Sequence, residues 1–226
     1  MGVVLVAAGQ GTRLGGEVPK QFRPIAGVPM VLRALRPFAS HPDVVQVVLV
    51  LPPSDAESPP DFLRSLGPGL ALVAGGAARA DSVAAGLAAL SPACTTVLVH
   101  DAARPFVARA VIDAVIAHAR AGEGAVAAVR VSDTLKEAAG DDATRVARTV
   151  PRDGLWRAQT PQGFPRAVLE RAHRARVPDP AAATDDAALV ERLGVTVRLV
   201  PDSPRNLKVT TPEDLALAEL LARLDA

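Results

Sequence analysis

Aromatic side chains are scarce in this 226-residue chain: they make up 3% of it, and tyrosine is missing altogether. Proteins that grip single-stranded nucleic acid stack bases on aromatic rings, so that class of partner is disfavoured. Net charge is only +1, too little to draw in a nucleic-acid backbone or an anionic membrane. Cysteine occurs once, as Cys94. One thiol closes no disulfide, and no CxxC or Cys/His cluster offers a metal its ligands. Cys94 precedes the apolar run Val97-Leu98-Val99 and lacks a basic neighbour to form a thiolate, so it reads as a small core residue. No apolar run approaches the ~18 residues of a membrane span. The N-terminal MGVVLV has no basic n-region and too short an apolar run for a signal peptide. Gly2 is followed by Val6 where myristoylation wants Ser or Thr. A cytoplasmic protein with no nucleic-acid or membrane partner is expected.

What is present is a chain 49% hydrophobic, enough for one domain with a full core. Short β-branched runs at Val3–Ala7, Val44–Leu51, Leu70–Val73, Thr96–His100, Ala125–Val131 and Val195–Val200 predict strands. Their apolarity is continuous rather than alternating, as in strands covered on both faces. Between and after them, Pro29–Ala39, Ser54–Leu66, Arg79–Ala89, Ala108–Ala121, Pro165–Ala175, Thr184–Leu193 and Pro212–Leu224 read as helices. Asp81-Ser82 opens one, and Thr210-Thr211-Pro212-Glu213 resembles a cap with proline in the first turn. Such alternation implies an α/β domain around a mostly parallel sheet. One stretch, 132–152, breaks the rhythm. Two Thr-containing runs flank Gly140-Asp141-Asp142, which is turn chemistry, and predict a projecting hairpin arm. A lone hairpin is marginal, so an ordered arm needs support, as a second subunit would give.

Four groups of residues carry chemistry. The first is LVAAGQGTRL followed by Pro19-Lys20-Gln21, a buried strand turning into a glycine loop. Glycines let backbone N–H groups approach an anion closely. A dinucleotide fingerprint fails at Leu14, which stands at the third glycine, and for want of an acid about 20 residues on. A Walker loop fails because Gly11 is followed by Thr12-Arg13. Two cations on one loop, Arg13 and Lys20, suit a triphosphate whose outer phosphates leave. The second is VHDAARP, with Asp101 at a strand end where it suits Mg²⁺ waters or sugar hydroxyls. His100 reads as packed or hydrogen-bonded, and Arg104 as either a partner of an acid or a substrate contact. The third is GGAARADSV, where Gly75 and Ser82 either face a base or ribose or simply begin a capped helix. The fourth comprises Gln159-Thr160-Pro161-Gln162-Gly163-Phe164, Ala183-Thr184-Asp185-Asp186 and Arg205-Asn206-Leu207-Lys208-Val209-Thr210. With Arg152 they supply hydroxyls and cations fit for a phosphorylated acceptor.

Taken together, AAGQGTRL, PKQF, GGAARADSV, VHDAARP, VPRDGLW, QTPQGF, TDDAALVE and NLKVTTPEDLALAE resemble the 2-C-methyl-D-erythritol 4-phosphate cytidylyltransferases of the non-mevalonate isoprenoid pathway. The resemblance spans essentially the whole chain. It implies a single Rossmann-like domain over 1–226, nucleotide-diphospho-sugar transferase-like, with helices on both sheet faces and a dimerisation arm at about 132–152. It implies transfer of CMP from CTP to 2-C-methyl-D-erythritol 4-phosphate with release of pyrophosphate. Arg13, Lys20, Asp101 and Lys208 would be catalytic. Ala7, Ala8, Gly9, Gly11, Thr12, Gly75 and Ser82 would bind the nucleotide. Thr134, Arg152, Thr160, Thr184 and Lys208 would bind the acceptor, with Thr134 and Arg152 reaching in from a partner's arm in a homodimer. Mg²⁺ would be held mainly by CTP phosphates, with no direct protein ligand. Ala77 departs from the family, where an acid is common, and Asp186 stands for a frequent Glu. Ribitol phosphate is the nearest alternative acceptor.

Overall fold

The computed structural model describes residues 1–9, 11, 14–15, 18–67, 69–140, 142–176 and 185–224. The chain begins with β1 (Gly2–Val6), a 3-10 turn (Lys20–Phe22), β2 (Pro24–Ile25), β3 (Val28–Pro29) and α1 (Met30–Ala39). There follow β4 (Gln46–Leu51), α2 (Pro53–Glu57), α3 (Asp61–Arg64), β5 (Leu70–Ala74), α4 (Arg79–Ala89), β6 (Thr96–Asp101), α5 (Arg109–Arg120) and β7 (Gly124–Arg130). The remainder is β8 (Leu135–Ala139), β9 (Asp142–Val150), β10 (Trp156–Pro165), α6 (Arg166–Arg174), α7 (Asp186–Glu191), β11 (Val197–Pro201) and α8 (Pro212–Leu224). No helix among the described residues is long and apolar enough to cross a membrane.

Seven strands form the main sheet in the order β11-β7-β10-β6-β1-β4-β5. β1 is central and runs parallel to both neighbours, Val3 lying opposite Val47 on one side and Leu98 on the other. Its continuous apolarity has a direct cause. Val3 and Leu5 enter one core with Phe38 of α1 and Ile112 of α5, while Val4 enters the opposite core with Val83 and Leu87 of α4. Both faces are therefore dry, as in parallel sheets covered by helices. Gly86 lets α4 lie close: a Cβ there would sit 2.4 Å from Val4 Cγ1.

The sheet contains a strand that periodicity did not indicate. β10 lies between β6 and β7, antiparallel to both. Its two prolines, glycine and glutamines argue against an interior strand. The structure accommodates them with a register shift between Ala158 and Gln162, where Pro161 needs no ladder donor. The helix expected over Ser54–Leu66 is divided, because Ser58-Pro59-Pro60 interrupts it between α2 and α3. α4 spans Arg79–Ala89 as expected, and Asp81 marks its start by accepting the Ala78 N–H at 3.0 Å. Asp185 caps α7 by accepting the Ala188 N–H at 2.9 Å. At α8 the expected cap is present: Thr211 Oγ1 accepts from Asp214 N–H, and Asp214 accepts from the backbones of Thr210 and Thr211.

The arm is a hairpin, with Leu135 paired to Val150 at its base. Every residue from Asp142 to Thr149 is exposed, Val146 at 55%.

Candidate active site

The strand order reverses at β1, which places a crevice at the carboxyl ends of β1, β4 and β6. The chain leaves these strands still tied to the sheet: Ala7 N–H donates to Val50 O at 2.8 Å, Gly75 N–H to Leu51 O at 2.7 Å, and Ala102 N–H to Val6 O at 2.9 Å. The crevice holds a cleft of about 770 Å³. Its wall includes Ala7, Ala8, Gly9, Gly11, Lys20, Gly75, Ser82, Asp101 and Lys208, all expected from the sequence. Arg13, Thr12 and Thr184 lie outside the described residues.

Glycine is required at two of these positions. Gly11 has a φ of +62°, and a Cβ there would come within 2.6 Å of Lys20 Cβ. A Cβ on Gly75 would meet Ala8 Cβ at 2.5 Å and Ser82 Oγ at 2.7 Å, so the two loops close only without one. Arg23 shapes the glycine loop from behind, its guanidinium donating to the carbonyls of Leu14, Gly15 and Val18. Gln21 anchors the 3-10 turn by donating to Asp55 at 2.8 Å. Ser82 is buried, accepts from Gly76 N–H at 3.2 Å and donates to Ala78 O at 3.3 Å. Its hydroxyl thus holds the shape of the Gly75–Ala78 wall.

Asp101 is the electrostatic centre. Its Oδ2 lies 2.7 Å from Lys208 Nζ, and its Oδ1 lies 3.2 Å from Arg79 Nε. Burial opposes ionisation here, but the Arg79 and Lys208 charges and the Lys208 hydrogen bond outweigh it. The carboxyl is held well below the usual carboxylate range and is an anion at neutral pH. Lys208 is placed by its neighbours: Val209 is fully buried and its N–H donates to Ala103 O at 2.8 Å.

Behind Asp101 runs a relay of neutral groups. The Asp101 N–H donates to Thr160 Oγ1 at 3.0 Å, and the Thr160 hydroxyl donates to His100 Nδ1 at 3.0 Å. His100 Nε2–H in turn donates to the Arg104 carbonyl at 2.9 Å, which fixes the tautomer. Thr160 is 4% exposed and has both hydroxyl functions engaged, so it supports the Asp101 strand end from within. His100 packs on Phe38 and is fully buried; burial pushes its pKa down to about 4, against the pull of the Arg104 carbonyl and Asp101. It is a packed, hydrogen-bonded residue, as its sequence context suggested. Arg104 donates to Asn206 O at 2.7 Å and so closes the same loop.

This burial sets a pH dependence. The folded-state pKa of His100 lies below the ordinary ~6.5 of the unfolded chain, so the unfolded state takes the proton first on acidification. Its contribution is complete above that pH and is lost as pH falls toward 4. Chemical denaturation is expected to show unfolding free energy about 2–3 kcal/mol lower at pH ~4.5 than at pH ~7.5 from this group. A His100→Gln variant should give a flatter profile over that range; an equally steep one would contradict the assignment.

Thr134 and Arg152 do not line this cleft. Both are exposed at the base of the arm, where Arg152 donates to the Ser132 carbonyl. Arg79 is a site residue that the motifs above do not single out. It lines the cleft and bridges Asp101 to Asp186, the latter at 2.7 Å. The signal was available: a cation in the first turn of α4 opposes the helix dipole and calls for acidic partners.

The cleft holds a glycine loop, two lysines and an ionised aspartate, and the chain that builds it matches a known family. The model of 2-C-methyl-D-erythritol 4-phosphate cytidylyltransferase, IspD, matches residues 1–223. The chain belongs to this family. A cytidylyltransferase of that name from Salinibacter ruber is 48% identical over 223 residues, covering 98% of this chain and 92% of the relative. The bifunctional enzyme IspD/IspF of Rhodospirillum rubrum is 44% identical, over 97% of this chain and 56% of the relative. The chain thus spans about half of that bifunctional relative. The crystal structure of the Thermus thermophilus cytidylyltransferase superposes with a TM-score of 0.80 at 39% identity, covering 97% and 98% of the two chains. The family assignment makes the protein a nucleotidyltransferase that moves a cytidylyl group from CTP to methylerythritol phosphate, in non-mevalonate isoprenoid synthesis. The α/β architecture with its mostly parallel seven-stranded sheet agrees with the cytidylyltransferase structures.

Proposed function

We propose that the cleft performs this transfer by charge neutralisation and positioning, with no side-chain nucleophile. The observation that carries the reading is the convergence of Lys20, Lys208 and the ionised Asp101 on one cleft floored by glycine-loop backbone. The attacking group is a phosphate oxygen of the acceptor, already largely anionic near pH ~7 because its second pKa is ~6. The oxygen attacks the α-phosphorus of CTP; the bond from that phosphorus to the β-phosphate bridging oxygen breaks, and pyrophosphate leaves with the electron pair. The obstacle is bringing anions together, so cations and N–H groups fixed beforehand do most of the work.

Each side chain then has a role. Arg13 and Lys20 take the charge that builds on the leaving pyrophosphate. Ala7, Ala8, Gly9, Gly11, Thr12 and the Gly75 wall, braced by Ser82, enclose the nucleotide. Asp101 accepts hydrogen bonds from the acceptor's hydroxyls, while Lys208 meets its phosphate. Thr160 acts behind Asp101, and Thr184 adds a hydroxyl to the acceptor side. Asp101, the acid of the cleft, is already held by two cations. The donor set therefore fits Mg²⁺ carried by the triphosphate rather than by a protein cage. Such an ion supplies further neutralisation of phosphate charge.

The arm completes the site in a homodimer. A bare two-stranded hairpin with an exposed Val146 gains stability only by docking, and it carries Thr134 and Arg152 at its base. If a partner's Arg152 serves the acceptor phosphate, mixing inactive Lys20→Ala and Arg152→Ala subunits rebuilds one intact site per heterodimer. Random exchange should restore about a quarter of wild-type turnover, since half the dimers are mixed and each has one working site. No recovery after proven subunit exchange would refute the shared site.

A further inference from the structure

One buried acid has no place in the cleft. Asp186, at the start of α7, has a side chain only 1% exposed and is not part of the cleft wall. Its two oxygens are divided. Oδ2 accepts from Arg79 Nη1 at 2.7 Å, and Oδ1 accepts from His173 Nε2–H of α6 at 3.0 Å. Arg79 spends its Nε on Asp101, whose other oxygen is on Lys208. Lys208, Asp101, Arg79, Asp186 and His173 thus form one continuous chain from the cleft into the core. Neighbouring residues fix its inner end: Gln162 of β10 donates to Asp185 at 2.8 Å and accepts the Ala187 N–H at 3.0 Å. Burial opposes ionisation of Asp186, but the His173 hydrogen bond and the Arg79 charge hold its carboxyl below the ordinary range.

A buried carboxylate is costly to keep, and removing it leaves its partner's charge uncompensated. The partner here is Arg79. It stands at the wrong end of α4 for the helix dipole and borders a cleft meant for phosphates. Released from Asp186, its guanidinium would fold onto Asp101 with both prongs or swing toward an incoming phosphate. The first movement draws Asp101 away from Lys208; the second strips Asp101 of the partner that orients its other oxygen.

We propose that Asp186, braced by His173, is a positioning residue for the acceptor: it splits the Arg79 fork so that Asp101 keeps one oxygen on Lys208 and stays correctly aimed. The inference rests on the reading that Asp101 contacts the acceptor. It is tested by calorimetric titration of methylerythritol phosphate into enzyme saturated with non-hydrolysable α,β-methylene-CTP. Asp186→Asn keeps size and removes the charge. It should weaken acceptor binding by about tenfold in the wild-type background but less than about twofold beside Asp101→Asn, because the effect passes through Asp101. Adding Asp186→Asn should change affinity for the CTP analogue by less than about twofold in either background. Arg79→Lys, which keeps the charge but loses the fork, should reproduce the pattern and serves if Asp186→Asn fails to fold. Equal losses in both backgrounds, parallel loss of CTP-analogue affinity, or no loss at all would overturn the proposal. If Asp101→Asn alone leaves acceptor binding intact, the Asp101 reading fails and takes this inference with it. If Asp101→Asn weakens binding and Asp186→Asn does not, only this inference fails.

Discussion

Lys20→Ala is expected to lower kcat by about a thousandfold or more, the scale seen when a charge-stabilising group is removed from a transferring phosphate. The turn that carries Lys20 has fastenings of its own. Lys20 is half-buried on a 3-10 turn that is fastened independently by Gln21 to Asp55 and by Phe22 stacked edge-on to Phe62 at 5.8 Å. Its loss removes charge from the cleft without opening the core. Arg13→Ala on the same glycine loop should have a similar effect. The loss should fall mainly on kcat, since leaving-group charge develops in the transition state. Steady-state kinetics beside a thermal melt separates the outcomes: near-normal turnover in both variants would remove the loop from the chemistry.

Asp101→Asn carries the second large effect, and its sign pattern is distinctive. The carboxylate adds negative charge to a cleft that must hold two anions. If it served only electrostatics, removing it would improve nucleotide binding and turnover. On the proposed function its value lies instead in accepting hydrogen bonds from the acceptor's hydroxyls and in holding Lys208 at 2.7 Å. Turnover with acceptor is therefore expected to fall by about a hundredfold or more, while affinity for CTP stays level or rises. The variant should remain folded, because Arg79 keeps its 2.7 Å contact to Asp186 and Lys208 is 42% exposed. Parallel losses of CTP affinity and turnover would contradict the division of labour.

What the sequence disclosed and what it concealed follow from the same physics. β1, β4 and β6 were legible because burial on both faces demands unbroken apolar runs. The two glycine-bearing walls of the cleft were legible because Gly11 and Gly75 occupy places where no side chain fits. Asp101 was legible because a lone acid after Val97-Leu98-Val99-His100 must stand at a strand end. β10 was not: its bulge at Pro161 is permitted by pairing to β6 and β7, which no local pattern announces. Without β10, Thr160 could only be taken for a substrate contact, whereas its place beside Asp101 makes it a support. The split of α2 from α3 was signalled by Pro59-Pro60 and outweighed by the surrounding helical period. The Arg79–Asp186–His173 chain joins three elements over 107 residues of separation, so only the fold brings it together.

On the proposed function, this cleft joins CTP to methylerythritol phosphate by neutralising and positioning two anions. Pyrophosphate release, measured with CTP and Mg²⁺ against methylerythritol phosphate, ribitol phosphate or no acceptor, tests it most directly. Release is predicted to depend on an acceptor, to saturate with methylerythritol phosphate, and to be at least about a hundredfold less efficient with ribitol phosphate. Release from CTP alone at the same rate, or a preference for ribitol phosphate, would contradict it.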